Sequence, residues 1–322
     1  HALVAVESDQ HDSYPLTETR NGNYAAPGLN LNGSHKYRLK IKTADGKQYA
    51  SDFEPVLTTP EIDSVGYVVQ TDGVQLYANT HDDSDNIKYY RWDYLETWKF
   101  HSANYSQWVS NGNAIVLRTP AQNIYYCFAT DTSHNIYLGA TTKLSKSVIY
   151  DMPLARVPST SEKLEVKYSI LVRQYALSSP AYEFWTNLKK NTEELGSIFD
   201  AQPTSSIGNI HNTSDATEPV IGYISVSTMQ QKRIFIDRID LPPTWTAQYP
   251  YYCGELDSVK YCGNNGISSC YNFVATELIP KGSTEIPVSA IGEPNITGFL
   301  SADVHCVDCN VRGVAKPPAF WK

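Results

Sequence analysis

The sequence predicts a mainly β protein: an incomplete immunoglobulin-like sandwich, then a larger β-sandwich-type domain carrying one inserted α-helix. Three observations lead there. Short runs rich in Val, Ile, Tyr, Thr and Trp alternate with a period of two. Asn-Gly, Asp-Gly and Gly/Ser clusters separate these runs as turns do. The composition holds 23 Tyr and 6 Trp but only 2 Met, which suits pleated, half-buried surfaces.

The first unit, residues 1–58, reads as the C-terminal part of an immunoglobulin-like β domain. Leu3 to Val6, Tyr37 to Lys42 and Gln48 to Ala50 have strand character, and Asp45-Gly46 sits in a hairpin turn between the last two. Asn21-Gly22-Asn23 and Asn32-Gly33-Ser34 mark further turns. This is too little for a whole sandwich, so the unit is expected to take a partner strand or a further segment of the polypeptide along its open edges. The opening His1-Ala2-Leu3-Val4-Ala5-Val6 already alternates like a strand, which leads us to expect a processed or truncated start, with any export signal or lipid-anchor Cys upstream.

Pro55 and Pro60 stiffen a linker into the second unit, residues 59–322. Strands are predicted over Val65 to Gln70, Gly73 to Ala78, Lys88 to Tyr94, Ala114 to Arg118 and Tyr125 to Thr130. In Tyr89-Tyr90-Arg91-Trp92-Asp93-Tyr94, alternation puts Tyr90, Trp92 and Tyr94 on one uniformly aromatic face, which is expected inside; a carbohydrate or peptide platform including Trp98 is the other reading. The inserted helix spans 180–195, with Ser179 as N-cap, Pro180 at the first helical position, Ala181, Trp185, Leu188 and Leu195 on one face, and Gly196 as the stop. A polar loop is expected from Asp200 to Asp215, long enough to suspect a function. Strands resume at Val220 to Val226 and Arg233 to Ile239, and Phe273 to Leu278 and Gly298 to Leu300 are the last.

Cys127, Cys253, Cys262, Cys270, Cys306 and Cys309 are even in number and mostly sit in loop-heavy sequence, so they are assigned to disulfides outside the cytosol, with connectivity open and Cys262–Cys270 a natural local pair. Zinc would need a second close Cys pair beside Cys306 and Cys309, and thioredoxin-like chemistry a βαβ context; neither is present. The run His81-Asp82-Asp83-Ser84-Asp85-Asn86 offers oxygen ligands for Ca²⁺ but lacks the Gly and distal Glu of an EF-hand loop, so it reads as a capped turn. Asp93 and Glu96 are close enough for a glycosidase pair, yet on a strand they face opposite ways.

No nucleophile elbow, Walker loop, dinucleotide fingerprint or paired-His metalloprotease motif occurs, so no catalytic residue, metal ligand or cofactor is assigned and no enzyme activity is expected. The ligand-binding residues are left open. A net charge of −8 speaks against nucleic acid, and no run nears the ~20 apolar residues a spanning helix needs. Asn32, Asn104, Asn212 and Asn295 head glycosylation sequons.

A larger pattern joins these pieces: Asn21-Gly22-Asn23-Tyr24, Tyr37 to Ile41, Pro60 to Val65, Tyr89-Tyr90-Arg91-Trp92, Tyr175 to Trp185, Gly208-Asn209-Ile210, Glu218 to Tyr223, then Cys306-Val307-Asp308-Cys309, Lys316-Pro317-Pro318 and Phe320-Trp321. Taken together, over nearly the whole chain, they resemble the family called domain of unknown function 4249. The resemblance implies an outer-membrane lipoprotein of the Bacteroidota, at the cell surface, encoded beside a TonB-dependent transporter. It implies an accessory role with that transporter in nutrient capture or uptake. The family's lipid-anchor Cys and opening strands are not in the sequence. The alternative, motivated by the Tyr and Trp content, is a free-standing glycan- or peptide-binding module or adhesin. An unrecognised enzyme would require a pocket with convergent titratable groups.

Overall fold

The alternating segments do form strands. A computed structural model of the chain describes residues 1–193, 208–249, 251–264, 270–292 and 294–321. In the first sheet, β1 (Leu3–Ser8), β2 (Ser13–Arg20), β3 (Asn23–Ala25), β4 (Lys36–Lys42), β5 (Gln48–Ser51) and β6 (Glu54–Leu57) are joined by two strands from far along the chain, β16 (Ile210–Asn212) and β17 (Val226–Ser227). The main order is β16-β5-β4-β1-β2-β3, with β17 running parallel to β6. The open edge of β5 is therefore met by β16 of the same chain. Asn21 and Gly22 both take positive φ, 46° and 81°, as a two-residue hairpin turn matched to strand twist requires. Register places Val4, Leu16 and Ile41 side by side, yet Val4 and Tyr37 are the apolar side chains that reach full burial in this sheet.

The second unit is a pair of sheets with the main core between them. One holds β7 (Ile62–Gln70), β8 (Gly73–Asp82) and β14 (Ser147–Pro158); the other holds β9 (Tyr89–His101), β12 (Tyr126–Thr132), β13 (Tyr137–Ala140), β15 (Lys167–Leu177) and β18 (Met229–Asp237). Strand β9 alternates as expected: Tyr90, Trp92, Tyr94 and Trp98 are buried in this core and Tyr89, Arg91 and Asp93 turn away. The Trp92 indole donates to Gln174 Oε1 at 2.8 Å, so its N–H is not stranded inside.

Beyond the sandwich lies a cysteine-bearing layer: the hairpin β10 (Trp108–Ser110) and β11 (Ile115–Leu117), and the sheet β19 (Asp257–Lys260), β21 (Gly298–Asp303), β20 (Glu285–Ile291). Its apolar clusters are small, one around Ile115, Val259, Val274, Leu278 and Phe299, the other around Ala302, Cys306 and Val307.

Four expectations change. The helix, α1 (Ser179–Glu193), begins a residue early: Ser178, not Ser179, caps it, its hydroxyl accepting from Ala181 N–H at 3.3 Å. Its buried face is built on Ala181 and Phe184, with Trp185 and Leu188 half-buried; Leu195 and Gly196 lie outside the described residues, as does 200–207 of the predicted loop, and 208–215 contains β16. Val220 to Val226 is mostly irregular, because the Asn209 side chain takes the place of a strand partner. Its Oδ1 accepts from Ile224 N–H at 2.8 Å and its Nδ2 donates to Ile224 C=O at 2.9 Å. Gly208 passes so close that a Cβ there would overlap the Gly222 carbonyl. Finally, Val274–Leu278 is a π-helical turn rather than a strand: Asn272 Oδ1 caps it by accepting from Ala275 N–H at 3.0 Å, and Val274 and Leu278, four apart, share the buried side.

Candidate functional site

The hairpin β10–β11 supports a polar cleft that contains a half-buried charge. Its loop is local chemistry: Asn111 Oδ1 accepts from the N–H groups of Asn113 and Ala114 at 3.0 and 2.9 Å, and Gly112 takes φ of 92°. Trp108 packs edge-on against Phe299 at 5.2 Å and Ile115 is buried beside it, which fixes the hairpin on the cysteine-bearing layer. Two hydroxyls clamp it further, Ser106 donating to Pro287 C=O at 2.6 Å and Ser110 to Ile279 C=O at 2.7 Å.

Arg118 follows the hairpin and stands on the wall shared by two recesses. The first, about 500 Å³, is lined by Val109, Asn111, Ile279, Lys281 and Glu285 among others; the second, about 370 Å³, by Tyr105, Gln107, Leu117, Gln122 and Tyr125. The Arg118 backbone is fixed by N–H to Gln107 C=O at 2.7 Å. Among the described residues its guanidinium makes one long hydrogen bond, Nε to Ser106 Oγ at 3.4 Å, and no ion pair. Burial pulls its pKa below the ordinary arginine value, and the Asp308 carboxylate acts weakly in the other direction. A half-buried guanidinium with an open fork is a ready receptor for a planar anion.

Several other arginines are closed off. Arg38 pairs with Glu7, Arg173 with Asp93 and Arg312 with Glu162, and the Arg238 guanidinium donates to the carbonyls of Leu241, Pro242, Pro243 and Trp245. A third recess, about 310 Å³, does gather titratable groups: His101, Glu165 and Tyr249. There the Tyr249 hydroxyl donates to Glu165 Oε1, His101 N–H donates to Oε2 at 3.0 Å, and His101 Nδ1–H donates to Ser102 C=O at 2.7 Å. Burial and the Glu165 carboxylate push the Tyr249 phenol far up, so it stays protonated as a donor. This arrangement ties the end of β9 to the segments around 165 and 249.

The sequence-predicted residues fall as follows. All six cysteines are paired, Cys127–Cys309, Cys253–Cys306 and Cys262–Cys270, so the two cysteines of Cys306-x-x-Cys309 serve different bridges. The acidic run is a capped turn: Asp82 accepts from Ser84 and Ile87 N–H groups at 3.1 and 2.7 Å, and Asp85 from Ser147 N–H. Among the described residues no group of three or more His, Cys, Asp or Glu is placed to hold a metal. Asp93 and Glu96 do point apart, the first to Arg173 and Arg91, the second into the core to Lys163 and Tyr168 at 2.6 Å each. Sequon residue Asn212 is buried and donates to Glu218 at 2.7 Å. In the sequence Arg118 is one basic residue at a strand end, and what marks it, a half-buried guanidinium on the wall of two recesses, exists only in three dimensions.

The fold defines a class: a mainly β, disulfide-bonded chain of an oxidising compartment outside the cytosol. Among the described residues no helix is long and apolar enough to cross a membrane. The family model described as a domain of unknown function (DUF4249) matches residues 1–233, and the chain belongs to this family. The match stops short of the last cysteines and of Phe320-Trp321, so the likeness is narrower than the sequence motifs implied. No curated protein and no solved structure matches the chain.

Proposed function

We propose that this chain is a non-catalytic binding protein that works at the outer membrane beside a TonB-dependent transporter, helping to capture or admit a nutrient. The observation that carries the binding role is the Arg118 cleft, where a half-buried guanidinium stands on the wall of two recesses, the second of which has no acidic residue in its lining. By contrast, the titratable groups that converge in the recess of His101, Glu165 and Tyr249 are tied to one another and to backbone. Family membership supports the setting beside a transporter, and the three disulfides support a place outside the cytosol. The test is affinity purification of the full-length chain from detergent-solubilised envelopes. A β-barrel transporter recovered with it is the expected result, and recovery as a monomer with no membrane partner would overturn the proposal.

A further inference from the structure

We propose that the Arg118 cleft takes an acidic oligosaccharide, with a sugar carboxylate held by the Arg118 guanidinium and the adjoining ring laid against Tyr105. This deepens the binding role above and rests on the cleft being the ligand site.

The anion belongs in the second recess. None of the residues lining it is acidic, whereas the first recess contains Glu285, which accepts from Ser301 Oγ at 2.9 Å, together with exposed Lys281. A carboxylate suits this site better than a phosphate. Phosphate sites gather several cations or free backbone N–H groups, and here one guanidinium stands alone. Its planar fork matches a carboxylate through two parallel hydrogen bonds.

A sugar suits it better than a peptide. Peptides that add to a sheet need free backbone donors and acceptors. Around this cleft those donors are in use: Arg118 N–H goes to Gln107 C=O, Gln122 N–H to Thr119 C=O, Tyr125 N–H to Asn123 Oδ1 and Gly112 N–H to Ser110 Oγ. The walls present side chains instead. Tyr105 is 56% exposed and packs in a T-shape with Tyr125, ring centres 5.2 Å apart and planes at 83°, so the two rings are not stacked face to face. A flat amphipathic ring beside a cation, rimmed by the amides of Gln107 and Gln122, matches an acidic sugar's hydroxyls, carboxylate and apolar ring face together. The recesses on either side of Arg118 leave room for neighbouring rings, which favours an oligomer over a single sugar.

The test is calorimetric titration of the full chain with a galacturonate trimer, its carboxyl-reduced neutral counterpart and a short acidic peptide. The acidic trimer binds. Arg118→Ala weakens it about ten- to a hundredfold and Arg118→Lys, which keeps the charge but loses the fork, by several-fold. Tyr105→Ala weakens both saccharides, and the neutral trimer binds no better to the native chain than to Arg118→Ala. An unchanged thermal melt and non-reducing peptide map show that each variant is folded. No binding of the acidic trimer, equal binding by Arg118→Ala, or preference for the acidic peptide overturns the assignment. A chain that recovers its transporter but ignores the trimer overturns this assignment alone, and one that binds the trimer with no transporter overturns only the accessory role.

Discussion

Trp92, Tyr90, Phe100, Tyr168 and Ile170 meet in one continuous apolar cluster between the sheets of the sandwich, whereas the described residues of the cysteine-bearing layer form two small clusters, around Phe299 and around Val307. The layer substitutes covalent and polar ties for apolar area: the bridges Cys253–Cys306 and Cys262–Cys270, and the Ser106 and Ser110 hydroxyls that clamp the hairpin. Bridges act chiefly by restricting the unfolded chain, so they add stability without requiring that every polar group be buried and paired. That freedom matters for function. In the sandwich a lone guanidinium would be a heavy burden, and the buried Glu96 there is matched by Lys163 and Tyr168. In the layer, Arg118 can stand open.

The largest expected loss of stability is at the core. Trp92→Ala removes a fully buried ring and strands Gln174, at a cost of about 3–5 kcal/mol and more if the cavity does not collapse; urea unfolding should show a single, whole-molecule loss. Next, replacing Cys253 and Cys306 together with Ser should cost about 2–5 kcal/mol, seen as a separate early transition in a thermal melt while the sandwich melts as before. A single shifted transition would mean that the layer is not held as described.

The first sheet sharpens the contrast, because it leans on carboxylates. Burial raises the pKa of Glu7, but hydrogen bonds from Arg38 and Lys40 outweigh that and hold it low; Glu218 is held low by bonds from Lys47, Tyr49 and Asn212. Groups whose folded pKa is depressed stabilise the fold above their ordinary value, 4.5 here, and that contribution is lost as pH falls below it. Bringing the chain to about pH 3 should therefore loosen β4, β5 and β16 before β9 and β15, as exchange of backbone amides would show. Smallest of all in stability is Arg118→Ala, expected within about 0.5 kcal/mol of the native chain; a larger loss would make Arg118 a structural residue rather than a binding one.

Much of this was legible in the sequence where one signal dominated locally. The alternation in 89–94 placed Trp92 inside, the Asn21-Gly22 pair set its turn, and the even cysteine count in loop-rich sequence anticipated the bridges. What escaped was decided at a distance. Strand β15 lies between β9 and β18 and buries Tyr168, Ile170, Val172, Gln174 and Ala176 at alternate positions, but a polar Gln174 on the inward face and an apolar Leu171 on the outward one blur that period in the sequence. Val220 to Val226 has strand composition, but Asn209 from another segment takes its hydrogen bonds. The cleft is the extreme case: its hairpin lies within the family-matched part of the chain and its opposite wall, Ile279 to Pro287, beyond it.

The most direct test of a cleft-bearing layer held by its bridges beside a self-supporting sandwich is hydrogen exchange read by mass spectrometry, before and after the disulfides are reduced. Residues 104–126 and 270–310 should lose protection on reduction while 89–101 and 167–177 keep theirs. Equal loss in both regions, or none in either, would contradict it.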